Sequence, residues 1–521
     1  MSIHKLSVII KNPSNDDEFL LVKQQRPPKF GDEEYDSYVD SDLWDIPSVQ
    51  LKLLDGDLKS VIAIEGSESY SQKIDLSKFD LVSALNGVLD QVGLGIDCGV
   101  HWTISKFVEE PEFGLGFIHT VFLLGKLSSK HELLPEGCKW MTIQSCLDLL
   151  LDVKASSERV GPSVVLGIIN DSRDAPNWVV QSKPHYQEYP PGVVLVPLGS
   201  RTQKPFWTTN LVIFAPQGAP KESGGTNIVA NGDALIVDPG CLSKHHGELM
   251  EIVAALPRKL VVFVTHHHHD HVDGLSVIQK CNPDTILLAH ENTMRRIGKD
   301  DWSLGYTKVS GDEEICISGQ RLNVISAPGH TDGHMALLHV STHSLIAGDQ
   351  CVGQGSAILD VTSGGNMTEY FKTTYKFLEL APHSLIPMHG RVNLWPKHML
   401  CGYLKNRRDR ESTILKAIEN GAETLFDIVA YTYPDVDKKL WIPAASNVRL
   451  HVDHLAQQDK LPKEFSLNKF QASCGLHFIS RWAWAYPSIR LTAKVLVTVA
   501  VAGFAVVYSA KNGLYSSKRG R

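Results

Sequence analysis

The chain has 521 residues. A single hydrophobic core does not usually extend over a chain of this length, so we expect about three structural units. Its net charge of −7 excludes a generally basic nucleic-acid-binding protein, although a local basic patch stays compatible with it. The 9 cysteines are scattered without a CxxC pair, so we expect reduced thiols and no disulfide framework. The opening "MSIHKLSVIIKNPSNDDEF" turns acidic at once, and we expect neither a secretory signal nor a transit peptide.

The first 172 residues predict a mixed α/β domain. The stretches "KLSVII" and "EFLLVKQ" have the alternation of paired strands, as does "GFIHTVFLLGKL" farther along. The intervening "LVSALNGVLDQVG" has apolar residues at helical spacing. A proline-rich, polar stretch over residues 173–192 predicts a linker.

Residues 193–395 predict a second domain, in which short apolar strands alternate with turns and helical segments. From 396 to 460 the pattern becomes helical, with three amphipathic stripes. A polar stretch at 461–480 predicts another linker before the apolar segment 491–510.

A run of histidines follows one of the apolar strands. The stretch "VFVTHHHHDHVDG" contains the motif HxHxDH, whose defined positions are His266, His268, Asp270 and His271. Imidazole is a common metal ligand near neutral pH, whereas an isolated run of histidines can be a low-complexity surface patch. Three further stretches decide between these interpretations, because each places one polar residue after an apolar strand. They are "NVISAPGHTDGH" with His330, "SLIAGD" with Asp349, and "SLIPMHG" with His389.

With "TNIVANGDALIVDPG", these motifs resemble those of the metallo-β-lactamase superfamily, and the resemblance covers the second domain. It implies an α/β (α+β) fold built as an αββα sandwich, with Asp238 as a structural residue. It also implies two zinc ions per subunit: His266, His268 and His330 would bind the first, Asp270, His271 and His389 the second, and Asp349 would bridge them. Imidazoles with a few carboxylates suit zinc, and two such ions about 3.5–4 Å apart can share a hydroxide.

Four other aspects of this motif bear on the chemistry. His267 and His269 fall at spacer positions and are not expected to be ligands. We expect Asp270 and His334 to take part in catalysis, although His334 is also compatible with a packing role. Flavodiiron-type members of the superfamily have Glu at the position of His268, so hydrolysis is favoured over redox chemistry. A mononuclear iron persulfide dioxygenase remains an alternative.

The segment after this domain resembles the small winged-helix tail of the lactamase-beta-like endoribonucleases. The resemblance rests on "YLKNRRDRESTIL" and the two helical stripes that follow. This stretch holds a basic cluster that would bind phosphates or form a solvated helix face, comprising Lys405, Arg407, Arg408 and Arg410. The glutathione-binding helical tail of glyoxalase-II-type thioesterases is not evident.

The N-terminal region resembles a Nudix domain that has lost its catalytic residues. "FLLVKQQRPP" and "DLWDIPSV" resemble the opening strand and the turn of that family. The stretch aligned with its catalytic box is "NGVLDQVG", in which Gly87 and Gln91 replace glutamates and only Asp90 is acidic. Because Mg²⁺ requires clustered carboxylates, we expect a binding or packing role.

These observations predict a dinuclear zinc hydrolase, with phosphodiesters of single-stranded RNA as the first expectation for its substrate. The alternatives are a hydrolase for a small thioester, ester or lactam, similar to glyoxalase II, and a membrane-tethered metal-containing binding protein without catalysis.

The apolar segment 491–510 predicts a membrane anchor, because about twenty residues at 1.5 Å each span a hydrocarbon core of about 30 Å. We expect a tail anchor with the enzyme on the cytoplasmic face of an organelle membrane. The alternatives are a buried terminal helix or a strand pair in a cytoplasmic protein; secretion is not expected.

Overall fold

The computed structural model describes residues 2–54, 64–66, 73–94, 101–113, 116–126, 134–154, 157–172, 185–202, 204–215, 227–353 and 355–485. They form two compact units. The first unit comprises Met1–Pro328, Gly333–Ala357 and Thr373–Cys401. The second comprises Gly329–Asp332, Ile358–Lys372 and the chain from Gly402 onward.

An eight-stranded sheet forms the N-terminal part of the first unit. Its strands are β1 (Ile3–Asn12), β2 (Asn15–Lys23), β3 (Leu43–Asp45), β4 (Ser48–Gln50), β5 (His101–Pro111), β6 (Phe117–Lys126), β7 (Cys138–Thr142) and β8 (Arg159–Val160). β1 pairs antiparallel with β2 and parallel with β6, so the three predicted strands are adjacent. The helices of this region are α1 (Glu33–Asp36), α2 (Leu81–Gln91), α3 (Ile143–Leu151), α4 (Pro162–Val164) and α5 (Asn170–Ser172).

The sequence explains why α2 packs on this sheet. Asp80 caps the helix by accepting a hydrogen bond from the backbone N–H of Ser83 at 3.0 Å. The alternating residues of β1 give the sheet one apolar face, and the predicted helical stripe packs on it. The buried residues of this contact include Leu6, Val8, Ile10, Leu85, Val88 and Leu89. The predicted α/β character of residues 1–172 is therefore present.

Two further sheets follow in the first unit. The seven-stranded sheet has the order β16-β15-β14-β13-β11-β10-β9, and the six-stranded sheet has the order β12-β17-β18-β19-β20-β21. Their strands are β9 (Gln187–Glu188), β10 (Val193–Gly199), β11 (Thr208–Phe214), β12 (Ile228–Gly232), β13 (Ala234–Val237), β14 (Leu260–Phe263), β15 (Ile286–Ala289), β16 (Thr307–Lys308), β17 (Glu314–Ile317), β18 (Gln320–Ser326), β19 (Met335–His339), β20 (Ser344–Ile346) and β21 (Ser384–Ile386).

These two sheets pack face to face, as the predicted sandwich requires. Phe214 and Phe263 from the first sheet share one buried cluster with Leu322 and Leu337 from the second. The outer face of the seven-stranded sheet packs on helices in a separate cluster. The helices of this region are α6 (His246–Ala255), α7 (His269–Val272), α8 (Leu275–Cys281), α9 (Glu291–Met294) and α10 (Met367–Leu380).

Most of the described chain from residue 396 to residue 485 is helical, and the prediction covered residues 396–460. Its helices are α11 (Pro396–Glu419), α12 (Leu425–Thr432), α13 (Trp441–Gln457), α14 (Leu467–Ala472) and α15 (Leu476–Ala485). The last two helices correct the linker expected over 461–480. Phe470 and Phe478 lie in the same buried cluster as Ile414 and Val448, so this stretch is part of a folded core.

The linker expected over 173–192 is corrected in its second part, because β9 pairs with β10 and Tyr189 is buried. The remainder of that stretch, 173–184, lies outside the described residues. The predicted anchor at 491–510 also lies outside them. Among the helices that the structure describes, none combines the length and the apolar character needed to cross a membrane.

Candidate metal centre

The predicted ligands of the first unit come from the ends of neighbouring strands. β13 and β14 are parallel, and Asp238 and His266 follow them directly or within three residues. β20 and β21 are also parallel, and Asp349 and His389 follow the last residues of these strands, Ile346 and Ile386, at equal distances along the chain. Because parallel strands end at one edge of their sheet, each pair of side chains lies at one edge, and the 3.5 Å contact of His271 with Asp349 shows that the two edges adjoin.

Asp238 holds the histidine motif in place through hydrogen bonds. Its carboxylate accepts hydrogen bonds from the backbone N–H of Thr265 at 2.7 Å and from the Thr265 hydroxyl at 2.5 Å. Nδ1 of His271 lies 2.8 Å from the same carboxylate. A proton held on Nδ1 by Asp238 leaves Nε2 as the atom that faces the site, which is the tautomer a metal ligand needs.

Close backbone approach explains the glycine after this aspartate. A Cβ atom on Gly240 would lie 1.9 Å from the carbonyl oxygen of Asp270. The loop that follows β13 and the histidine motif are therefore in direct backbone contact, which fixes the position of Asp270 relative to Asp238.

His266 and His268 form the first histidine pair. Nε2 of His266 lies 2.9 Å from Nδ1 of His268, and the Nδ1 atom of His266 lies 3.0 Å from the Thr265 hydroxyl. His266 is fully buried. One ring nitrogen of each histidine is therefore close enough to the other for both to bind the same cation.

The second group comprises Asp270, His271, Asp349 and His389. Nε2 of His389 lies 3.4 Å from Oδ2 of Asp270 and 3.4 Å from Oδ1 of Asp349. Nε2 of His271 lies 3.5 Å from Oδ2 of Asp349 and 3.8 Å from Oδ2 of Asp270. The structure therefore brings these four predicted ligands together.

These spacings suit a tetrahedral cation. Ligand bonds of about 2.0–2.1 Å place neighbouring ligand atoms of a tetrahedron about 3.3–3.4 Å apart. Nε2 of His271 is buried and has no hydrogen-bond partner, although Asp238 occupies the other nitrogen of the ring. A buried ring nitrogen directed at two carboxylates is the arrangement that a bound cation would complete.

Without a metal, the histidines of this group hold protons. Burial lowers the pKa of His389, but the carboxylates of Asp349 and Asp270 outweigh it and raise the pKa to about 9. Burial likewise opposes the charge on His271, and the same carboxylates raise its pKa well above the usual value. For Asp270, burial raises the pKa, but the charge on His271 and the hydrogen bond from His389 lower it to about 2. A cation that binds here must displace protons from both histidines.

His334 lies within the first unit, where it supports Asp349. Its side chain is buried, and Nε2 accepts the backbone N–H of Asp349 at 2.9 Å. Burial lowers the pKa of His334 to about 4, so the ring is neutral at pH 7. These contacts support a positioning role for His334, and its part in catalysis stays a prediction.

Three other histidines have separate positions. His330 belongs to the second unit, where its carbonyl accepts the backbone N–H of Asp360 at 3.0 Å; its role as a ligand of the first metal stays a prediction. His269 is exposed and lies 3.1 Å from Oδ1 of Asp273, which agrees with its spacer position. His267 is half-buried.

Sequence reasoning missed the residues that hold His389. Nδ1 of His389 lies 2.9 Å from the backbone carbonyl of Thr208, and the ring of Phe206 stacks on it at 5.4 Å between centroids. Asn210 donates from Nδ2 to the carbonyls of Pro387 and Gly390, each at 2.8 Å. Asn210 follows an unremarkable "TT" in a strand, so no local pattern marked it.

The basic cluster of α11 makes contacts within the second unit. Arg407 is buried with its guanidinium 4.9 Å from the Tyr370 ring, and Arg408 pairs with Glu411 at 3.1 Å. Arg410 lies 4.2 Å from the Tyr433 ring and donates to the carbonyl of Thr432. Lys405 pairs with Asp409 at 2.6 Å. The salt bridges agree with the alternative of a salt-bridged helix face, and binding of phosphates stays a prediction.

Comparisons with known proteins agree with this site. Residues 226–377 match the metallo-beta-lactamase superfamily, and residues 424–465 match the beta-lactamase associated winged helix domain. The fold is therefore the metallo-beta-lactamase fold with a C-terminal winged-helix domain. This match and the clustered His and Asp residues support metal-dependent hydrolysis as the activity of the domain.

Several relatives are similar over part of the chain. A protein named "Beta-lactamase-like protein 2 homolog" from Drosophila melanogaster is 28% identical over 212 residues, which cover 38% of this chain and 69% of that one. A hydroxyacylglutathione hydrolase from Klebsiella pneumoniae is 26% identical over 259 residues, covering 49% and 89%. A solved beta-lactamase domain protein from Burkholderia ambifaria has 16% identity and a TM-score of 0.44, covering 56% and 94%.

Proposed function

We propose that this chain is a dinuclear zinc hydrolase that cleaves phosphodiester bonds in single-stranded RNA through a shared hydroxide. The observation that carries the hydrolase proposal is the group of Asp270, His271, Asp349 and His389. Two imidazole nitrogens and two carboxylates converge there at 3.4–3.8 Å. Nitrogen and oxygen donors at this spacing suit zinc.

The residues have separate tasks in this proposal. Asp270, His271 and His389 would hold one cation, and His266 and His268 with His330 would hold the other, with Asp349 between them. Two bound cations lower the pKa of a shared water and stabilise the negative charge that develops on the substrate. Asp238 keeps His271 in the required tautomer, and His334 holds the backbone of Asp349 through its ring nitrogen.

The RNA substrate rests on one observation. The winged-helix match at residues 424–465 follows the metallo-beta-lactamase match at residues 226–377, which is the domain order of the resemblance to endoribonucleases. The basic cluster of α11 no longer supports RNA binding, because its side chains are engaged within the protein.

A small thioester or ester is the second candidate substrate. The relative named hydroxyacylglutathione hydrolase favours it, and the net charge of −7 is also more compatible with a small substrate than with a polyanion. In this case the same two cations would stabilise the oxyanion of an acyl transfer rather than a phosphoryl group.

Two further roles are part of the proposal. The N-terminal α/β region is proposed to bind or pack as a Nudix-like domain without Nudix catalysis, because Asp90 is the only carboxylate in its box. The segment 491–510 is proposed to tether the enzyme to the cytoplasmic face of an organelle membrane.

The test is metal analysis of the purified protein, followed by parallel assays on labelled single-stranded RNA and a thioester panel. We expect two zinc ions per chain and cleavage of RNA. The Asp349→Ala protein, purified in the same way, controls for contaminating nucleases. RNA cleavage equal in both proteins would exclude RNA as the substrate, and thioester turnover confined to the wild type would establish the second candidate. A chain with no bound metal and neither activity would leave the non-catalytic binding protein.

A further inference from the structure

Arg159 is a buried arginine that joins the N-terminal sheet to the second half of the first unit. It lies in β8 and is 3% exposed. On its own side, it donates to the Ser41 carbonyl at 2.6 Å and to the Ser41 hydroxyl at 3.1 Å. From Nη1 it donates to the carbonyl of His383 at 3.2 Å and to the carbonyl of Leu394.

The two carbonyls bound by Arg159 are the ends of one turn, residues 383–394, which we call the His389 turn. Leu385 and Asn393 exchange two backbone hydrogen bonds at 3.0 and 2.8 Å, so the turn is closed at its base. His389 lies at its tip. A guanidinium that binds both ends of a closed turn restricts the movement of its tip.

A second contact holds the same turn from the N-terminal sheet. Arg391 donates from Nη2 to the carbonyl of Pro111 at 3.1 Å, and its Nε lies 3.3 Å from Oε2 of Glu112. Pro111 ends β5 and Glu112 follows it. Two separate strands of the N-terminal sheet, β5 and β8, therefore contact the turn that delivers a metal ligand.

We propose that Arg159 is a positioning residue of the metal centre, which makes the N-terminal region part of the support for His389. The proposal rests on the dinuclear centre of the proposed function. Metal–ligand distances tolerate about 0.2 Å, so a ligand on a turn needs a rigid support. Loss of a group that orients a ligand typically weakens metal affinity by about 10–100-fold. A lysine cannot replace the planar fork that contacts three carbonyls.

The experiment compares the affinities of the two metals in Arg159→Lys and in the wild type, by titration with Co²⁺ followed through its visible spectrum. We expect one of the two affinities, that of the cation held by His389, to fall about 10-fold or more, with the other affinity unchanged. Tyr189→Phe is the matched control. This variant removes one buried hydrogen bond, which the Tyr189 hydroxyl donates to the Val160 carbonyl at 2.6 Å. Val160 lies in the same strand, β8, and the bond does not involve the His389 turn.

Tyr189→Phe should lower the thermal midpoint without changing either affinity. Unchanged affinities in Arg159→Lys would overturn the proposal, as would equal losses in both variants. If Arg159→Lys does not fold, Glu112→Gln at the surface provides the second test, and the proposal then requires a selective loss of the same cation. A wild type that binds fewer than two cations would instead overturn the proposed function, so the two failures are distinguishable.

Discussion

At the scale of single residues, hydrogen-bond acceptors at Nδ1 fix the orientation of His271 and His389 in the centre. Asp238 lies against Nδ1 of His271, and the carbonyl of Thr208 lies against Nδ1 of His389. Both rings therefore present Nε2 to the carboxylates of Asp270 and Asp349. The orientation of the ligands is built into the fold before any cation binds.

Asp349→Ala removes the carboxylate that faces both His271 and His389. We expect the protein to lose one or both zinc ions and its hydrolytic activity, because Asp270 alone would remain opposite the two histidines. Metal content by mass spectrometry and turnover of the preferred substrate measure this. His267→Ala is the comparison, since a spacer residue should leave the metal content unchanged. Two ions and near-wild-type turnover in Asp349→Ala would remove this residue from the centre.

Asp238→Asn tests the support of His271 without changing a ligand. The Asp238 carboxylate accepts three hydrogen bonds through two oxygens, whereas an amide offers a single acceptor oxygen. We expect about 10–100-fold weaker metal binding with the fold retained, measured by competition with a chromogenic chelator. An affinity equal to that of the wild type would mean that Asp238 does not set the tautomer.

At the scale of elements, strands and ligands were predictable from the sequence because strand ends carry a regular signal. Apolar runs that stop at a polar residue marked Asp238, His266, Asp349 and His389, and the structure brings these four residues to one edge of the sandwich. The supports were not predictable in the same way. Asn210 and Arg159 donate hydrogen bonds to backbone carbonyls that are distant in sequence. Every residue has a backbone carbonyl, so the sequence does not show which one accepts the bond.

The basic residues of α11 left two interpretations open because the sequence displays charge but not direction. In this 24-residue helix, Arg407 and Arg408 lie over aromatic rings, and the salt bridge of Arg408 agrees with the alternative of a salt-bridged helix face. The prediction of a linker at 461–480 was wrong because this mainly polar stretch contributes to two short helices. Within the stretch, each helix buries one phenylalanine, Phe470 or Phe478. A helix of 6 residues, such as α14, is too short to give a periodic signal.

Glu411 gives α11 a pH-dependent role in the second unit. It lies 2.5 Å from Nδ1 of His454 and 3.4 Å from Nδ1 of His451. Burial raises the pKa of Glu411, but hydrogen bonds with these histidines outweigh it and lower the pKa to about 2. Because this pKa is lower in the folded protein than in the unfolded chain, the stabilisation is present above about pH 4.5 and disappears as the pH falls towards 2.

We therefore expect Glu411→Gln to lower the unfolding midpoint of the second unit at pH 6 and to lower it much less near pH 3. Gln cannot replace the charged acceptor, and a buried hydrogen-bonding group left without its partner destabilises by about 1–3 kcal/mol. Denaturation at both pH values measures the difference, and Glu419→Gln, an exposed position on the same helix, should have no effect at either. An effect of Glu411→Gln that is equal at both pH values would contradict the assigned pKa.

At the scale of the whole molecule, the metallo-β-lactamase sandwich does not stand alone in its unit. Residues of the N-terminal sheet belong to the same compact unit, and Lys397 and His398 at the start of α11 donate their backbone N–H groups to Asp40 at 3.0 and 3.1 Å. The N-terminal sheet therefore contacts both the His389 turn and the start of the helix that follows it. A region without Nudix carboxylates can thus contribute to hydrolysis through packing.

The last prediction concerns the segment 491–510, which is apolar apart from Lys494 near its start. Its length suffices to span about 30 Å of hydrocarbon, and Arg490 and Lys494 can extend their charged ends to the headgroups. We expect the full chain to stay with membranes during alkaline carbonate extraction. The comparison protein must end after Ala485 and not earlier, because Phe478 belongs to the core of the second unit and its loss would unfold that unit. This shortened protein should enter the supernatant, and full-length protein in the supernatant would exclude the anchor.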